Sequence, residues 1–154
     1  LLEVAPEQQQ PDDSPTQDLD LKGIRVLAVD DEPDARDLLA MLLTLYGAEA
    51  ILIVASATEV LAHLESFQPD ILISDIGMPE TDGYTLIQQI RALPPEKGGQ
   101  VPAIALTAYA REEDYQRAID SGYQQHVTKP LDPEQLVQVL VTLASQLSSA
   151  PVEY

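Results

Sequence analysis

The chain has 154 residues and no cysteine, so disulfides and thiolate metal sites are excluded and a reducing compartment is permitted. With 45% apolar residues it can bury the core of one ordinary domain. Its net charge of −18, from 26 acidic and 8 basic residues, repels phosphate backbones and argues against direct nucleic-acid binding.

Residues 1–22 mix Pro, Gln, Asp and Ser without periodicity, the composition of an acidic linker. Through Gly23 this stretch holds six acids and one base, or −5; the remaining −13 belongs to the rest of the chain. The first residue is Leu rather than Met, so an excised piece of a longer protein is expected. No apolar run approaches the ~18 residues of a membrane helix, and no basic-then-apolar signal opens the chain. No membrane contact is expected of this segment.

From Ile24 onward two kinds of segment alternate. "IRVLAV" (24–29), "EAILIVA" (49–55), "DILIS" (70–74), "VPAIAL" (101–106) and "QHVT" (125–128) read as strands, most of them continuous apolar runs suited to cover on both faces. Between them, 34–46 is predicted helical, with Ala35, Leu38, Leu39, Leu42 and Leu45 on one stripe and Gly47 as its stop. Ser56 and Glu59 form a capping-box signature for a helix over 57–67, and helices follow over 83–93 and 111–120. The last helix starts at Asp132, with Leu136, Val139, Leu140, Leu143 and Leu147 as its buried face. Five strands alternating with five helices predict an α/β domain, a doubly wound five-stranded parallel sheet with helices on both faces. Its ligand site is expected beyond the carboxyl ends of the strands, where the strand order switches.

Those ends carry chemistry. Asp30 and Asp31 close the first strand, Asp75 the third, Thr107 the fourth and Lys129 the fifth. Three carboxylates held together repel unless a cation neutralises them, and Mg²⁺ suits an all-oxygen site that keeps room for water and phosphate oxygens. An Asp beside Mg²⁺, a Lys and a Thr hydroxyl has the parts for phosphoryl transfer to a carboxylate nucleophile. Asp75 would attack phosphorus, Lys129 would neutralise charge and Thr107 would donate a hydrogen bond. Taken singly, each residue has a plainer role: Asp75 as a turn former, Asp30 and Asp31 as a helix start, Lys129 as a surface cation. Together at four strand ends, chemistry is the better account.

"VDDEPDARDLL", "ISDIGMPETDGYTLI", "ALTAYA" and "HVTKPLDPEQL" resemble the receiver domain of two-component response regulators over residues 24–147. The resemblance implies a flavodoxin-like (βα)5 fold over residues 23–148, followed by a tail at 149–154. It implies that Asp75 is the phosphoacceptor, Asp31 a direct metal ligand, Asp30 a ligand mainly through water, and Gly77 a ligand through its backbone carbonyl. Thr107 becomes the switch hydroxyl, Lys129 the phosphate-binding cation, and the Lys129–Pro130 bond is expected to be cis. The partners implied are a histidine kinase phosphodonor domain, in cis or in trans, and a histidine phosphotransfer protein, in the cytoplasm. The domain would catalyse only its own phosphorylation and dephosphorylation.

The opening "RVLAVDDEPDARDLL" most resembles receivers at the C-terminal end of bacterial hybrid histidine kinases, so a kinase parent, membrane-anchored or not, is expected. Where most receivers carry Tyr or Phe as a rotamer switch, this chain has His126, either a half-buried strand residue or a pH-sensitive switch. Gly77 and Tyr109 occupy the family's two rim positions, and Tyr109 is expected to shield the phosphoryl group from water. His63 is read as a helix-surface residue, and Tyr115 as exposed or at an interface. Two other functions compete with the phosphoacceptor reading. An aspartyl-phosphate phosphatase of the haloacid-dehalogenase type wants an acid two residues after the nucleophile, where Gly77 stands. A phosphorylation-independent binding module would have lost part of the site, and here all of it is present.

Overall fold

The computed structural model describes residues 20–108 and 111–149, with side chains through Ser145. Tyr109 and the side chain of Leu147 lie outside the described residues. Five strands form the sheet: β1 (Arg25–Val29), β2 (Ala50–Val54), β3 (Ile71–Asp75), β4 (Ala103–Thr107) and β5 (Gln125–Thr128). The helices are α1 (Pro33–Leu45), α2 (Ala57–Phe67), α3 (Gly83–Arg91), α4 (Glu112–Ser121) and α5 (Pro133–Ser149). All neighbours are parallel, in the order β2-β1-β3-β4-β5. The chain therefore winds outward from β1 to β2, crosses back to β3, and continues the other way. The switch point lies between β1 and β3, which puts the expected ligand position at their carboxyl ends.

Strand alternation explains the continuous apolar runs. Val26, Ala28, Ile71, Ile73, Ile104 and Leu106 pack with Leu39, Leu42 and Leu43 of α1 and with Leu136, Val137 and Leu140 of α5. Their sequence neighbours Leu27, Val29, Leu72, Ala103 and Ala105 face α2, α3 and α4, meeting Val60, Leu64, Leu86, Ile87 and Ile90. A strand covered on both sides needs apolar residues at every position. The edge strands β2 and β5 are only partly buried, so cover on both faces belongs to the three central strands.

Helix ends follow local chemistry. Ser56 accepts from the Glu59 amide at 3.3 Å, while Glu59 Oε1 accepts from the Ala55 amide at 2.7 Å, a box closed one residue earlier than expected. Asp82 caps α3 by accepting from Thr85 N at 2.9 Å. Gly47, at φ +83°, follows the end of α1 in the left-handed region.

Three expectations need correction. In α1 the buried stripe is Leu39, Leu42 and Leu43, whereas Leu38 and Leu45 are exposed; positions 38 and 45 lie about 100° and about 120° round the helix from 39, on the same side. In α5 the fully buried face includes Val137, while Val139 is only partly buried. The third helix ends at Arg91, and a short 3₁₀ turn at Pro95–Lys97, started by Pro95, fills the loop before β4. His63 and Tyr115 are exposed, as expected. Leu21, inside the stretch read as linker, is fully buried and its amide donates to the Tyr46 carbonyl at 2.8 Å.

Candidate functional site

Asp30 follows β1 directly, and its amide donates to Val54 O at 3.2 Å, which ties the end of β1 to β2. Its carboxylate is fully buried: Oδ1 accepts from the Glu32 amide at 3.0 Å, and Oδ2 accepts from Lys129 Nζ at 3.2 Å. Arg36 Nη1 donates to the Asp30 carbonyl at 3.0 Å, so the first turn of α1 also holds this corner. Asp31, half-buried, follows at the mouth.

Asp75 is the last residue of β3 and is 5% exposed. The Ile76 amide still donates to Leu106 O at 2.9 Å, so sheet pairing extends one residue past the carboxylate and holds it rigidly. The chain then turns away and returns at Gly83, whose amide donates to Ile76 O at 2.9 Å. A Cβ at Gly83 would stand 2.6 Å from the Asp75 carbonyl, so only glycine allows this close return. Asp75 Oδ1 accepts from Lys129 Nζ at 3.1 Å and from the Gly77 amide at 3.4 Å.

Oxygens of Asp30, Asp31 and Asp75 lie within 4.8 Å of one another. They border a cleft of about 310 Å³ lined by Asp31, Glu32, Asp75, Ile76, Gly77, Thr107, Ala108 and Lys129. Thr107 ends β4, is 2% exposed, and accepts through its carbonyl from Lys129 N at 2.7 Å. Fixed in that way, Lys129 leads into a cis peptide bond with Pro130, as expected.

Electrostatics mark this cleft as unbalanced. Burial, and then the charge of Asp30, push the Asp75 carboxyl above its ordinary range, although Lys129 acts against them. Burial alone would lower the Lys129 ammonium; its bonds to Asp75 and Asp30 outweigh this and hold it above its ordinary range. One ammonium faces three carboxylates, and a divalent cation with a preference for oxygen ligands fits the remaining negative charge.

The structure thus brings together Asp30, Asp31, Asp75, Gly77, Thr107 and Lys129. His126 is not among the residues lining the cleft. It is half-buried in β5, in register with Ala105, and its ring meets Tyr115 edge-on at 5.5 Å. Its Nε2 has no hydrogen-bond partner among the described residues, and burial lowers its pKa from the ordinary 6.5 against the pull of Asp114. Glu32, Ile76 and Ala108 line the cleft without having been singled out in the sequence, being plain neighbours of Asp31, Asp75 and Thr107.

Comparison with known proteins settles the family. The model of the response regulator receiver domain matches residues 26–141. This chain is a response regulator receiver domain. An uncharacterised 14.6 kDa protein of Leptolyngbya boryana is 50% identical over 120 residues, covering 78% of this chain and 89% of that protein. The sensor histidine kinase RcsC of Salmonella typhi is 35% identical over 122 residues, covering 79% of this chain. The chain spans only 12% of that kinase, and 52% of the Synechocystis response regulator Rre1. Among solved structures, the receiver domain of a Pseudomonas aeruginosa sensor histidine kinase superposes with a TM-score of 0.70 at 29% identity. The match covers 79% of this chain and 97% of that one, whose active-site cleft coordinates a magnesium ion. The receiver family serves as phosphoacceptor in two-component signalling, with histidine kinases or phosphotransfer proteins as its partners in general, and that is the role of this domain.

Proposed function

We propose that Asp75 is the residue phosphorylated, with Asp30, Asp31, Asp75 and the Gly77 carbonyl as the Mg²⁺ site. The observation that carries this reading is the placement of Asp75. It is a buried carboxylate at a rigid strand end, bonded to Lys129 at 3.1 Å and facing an open cleft shared with Asp31 and Thr107. An Asp75 oxygen forms the bond to phosphorus as the phosphorus–nitrogen bond of the donor phosphohistidine breaks, and the electron pair leaves with the imidazole. Lys129 bears against the negative phosphoryl oxygens, and Thr107 donates a hydrogen bond to one of them. The bound Mg²⁺ would supply charge neutralisation for the same oxygens.

The donor is a histidine kinase domain, in cis or in trans, and a histidine phosphotransfer protein is the further relay partner. The receiver unit proposed spans 23–148 between an acidic linker and a short tail, in the cytoplasm, in a parent of the hybrid-kinase type. No described helix is long and apolar enough to cross a membrane. A phosphatase that turns over outside substrates is less well supported, because position 77 holds Gly rather than an acid.

Intact-mass measurement after incubation with Mg²⁺ and a small acyl phosphate tests the assignment. The expected result is one phosphate on the wild type and none on Asp75→Asn. An adduct that survives in the variant rejects Asp75, and continuous phosphate release without an adduct favours the phosphatase.

A further inference from the structure

Tyr123 lies in the turn between α4 and β5, outside the residues that line the cleft, and is 2% exposed. Its hydroxyl donates to the Gly83 carbonyl at 2.8 Å, across forty positions of sequence and entirely within the core. Burial pushes that hydroxyl above its ordinary range, with the Ser74 hydroxyl as the main group acting against it. Ser74 is itself fully buried and donates to the Asp75 carbonyl at 3.1 Å. A string of polar groups therefore runs through an otherwise apolar layer directly behind Asp75.

The two ends of this string differ. At its base the turn is fastened: Arg91 donates to the Gly122 carbonyl through Nε at 3.0 Å and Nη2 at 2.7 Å, and Gln124 Oε1 accepts from Ala103 N at 2.7 Å. A Cβ at Gly122 would stand 3.0 Å from Arg91 Cγ and 3.2 Å from Arg91 Nε, so the backbone here is in close contact with the arginine side chain. At the other end, the hydroxyl meets the residue where the loop that follows Asp75 comes back onto the strand. That loop carries Gly77, whose amide already bonds Asp75 Oδ1.

We propose that Tyr123 is a positioning residue for the phosphoacceptor site, a strap from the α4–β5 turn that holds Gly83, and through it the 76–83 loop, against β3. Removing the hydroxyl leaves the ring and its packing in place and frees the closing point of the loop. The Gly77 backbone then loses its fixed position beside Asp75. The inference rests on the metal-site reading above only for its link to Mg²⁺; the strap itself rests on the geometry of Tyr123, Gly83 and Ile76.

Tyr123→Phe tests it, with Ile90→Val as the control, since Ile90 is fully buried in the same layer and makes no polar side-chain contact. Amide exchange of residues 76–83 and Mg²⁺ affinity by titration are measured on all three proteins. In Tyr123→Phe, exchange in 76–83 accelerates about five-fold and Mg²⁺ binding weakens about five-fold, the worth of one neutral hydrogen bond. Ile90→Val lowers global stability but leaves both readings at wild-type values. Wild-type exchange in 76–83 of Tyr123→Phe overturns the strap, and so does faster exchange with unchanged Mg²⁺ affinity. Should the wild type bind no Mg²⁺, the metal reading fails, and the exchange comparison alone then decides for or against Tyr123.

Discussion

Ile73 and Asp75 stand two residues apart on β3, on the same side of the sheet and almost equally buried, at 0% and 5% exposure. Ile73 is enclosed by aliphatic groups of the α1 and α5 layer, so its burial stabilises the fold at about 25 cal/mol per Å² of apolar surface. Asp75 is enclosed by two carboxylates and one ammonium, and the same burial raises its pKa. The lower part of the strand therefore holds the domain together, while its last residue, proposed above as the phosphoacceptor, carries a charge that burial disfavours. That division is open to direct test.

The largest effect expected is qualitative. Asp75→Asn loses phosphorylation entirely while keeping the fold, because the amide matches the carboxylate in shape and is not nucleophilic; circular dichroism checks the fold and intact mass the chemistry. Ile73→Ala does the reverse. It loses about 2–5 kcal/mol by leaving a cavity between β3 and the helices, and whatever remains folded still takes the phosphate. Denaturant titration measures the first part.

A smaller effect concerns pH in metal-free protein. The folded pKa of Asp75 is raised above its ordinary 3.8, so the folded state holds this proton more tightly than the unfolded chain. The stability it contributes is fully present below 3.8 and is lost as pH rises through the folded value. Asp75→Asn is accordingly more stable than wild type at neutral pH, by on the order of 1 kcal/mol, and the gap closes in acid. Melting curves of both proteins across the acid range give the answer. A gap that widens in acid would mean that Lys129 dominates Asp75.

The smallest effect belongs to His126. Its folded pKa is lowered by burial, so its contribution is present above 6.5 and lost as pH falls through the folded value. His126→Phe should gain on wild type between about pH 8 and pH 5, by less than about 1 kcal/mol. A pH-independent difference between the two removes His126 as a titrating group.

The cleft was more legible in the sequence than the helices were. Asp30, Asp31, Asp75, Thr107 and Lys129 interrupt or terminate apolar runs, and parallel strands bring their ends to one edge whatever the details of packing. The face of α1 was harder to read, because Leu38, Leu39, Leu42, Leu43 and Leu45 spread leucine over an arc of about 160°, wider than one buried stripe. Periodicity then allows several stripes, and contact with β1 and β2 selects Leu39, Leu42 and Leu43. Tyr123 carried no signal at all. As a sequence element it is one more aromatic at a core position, and the Gly83 carbonyl it reaches lies forty residues away.

The central claim is that the acidic cluster is a cation site whose charges strain the metal-free fold. Thermal unfolding of wild type and Asp31→Ala, each titrated with Mg²⁺, tests it most directly. Asp31 is half-buried and faces the cleft, so its removal relieves repulsion without opening the core. Without metal, Asp31→Ala is expected to melt at or above the wild type. With Mg²⁺ the wild-type transition rises and saturates, as binding to the folded state requires, while that of the variant moves little. Equal Mg²⁺ responses in the two proteins would contradict the account.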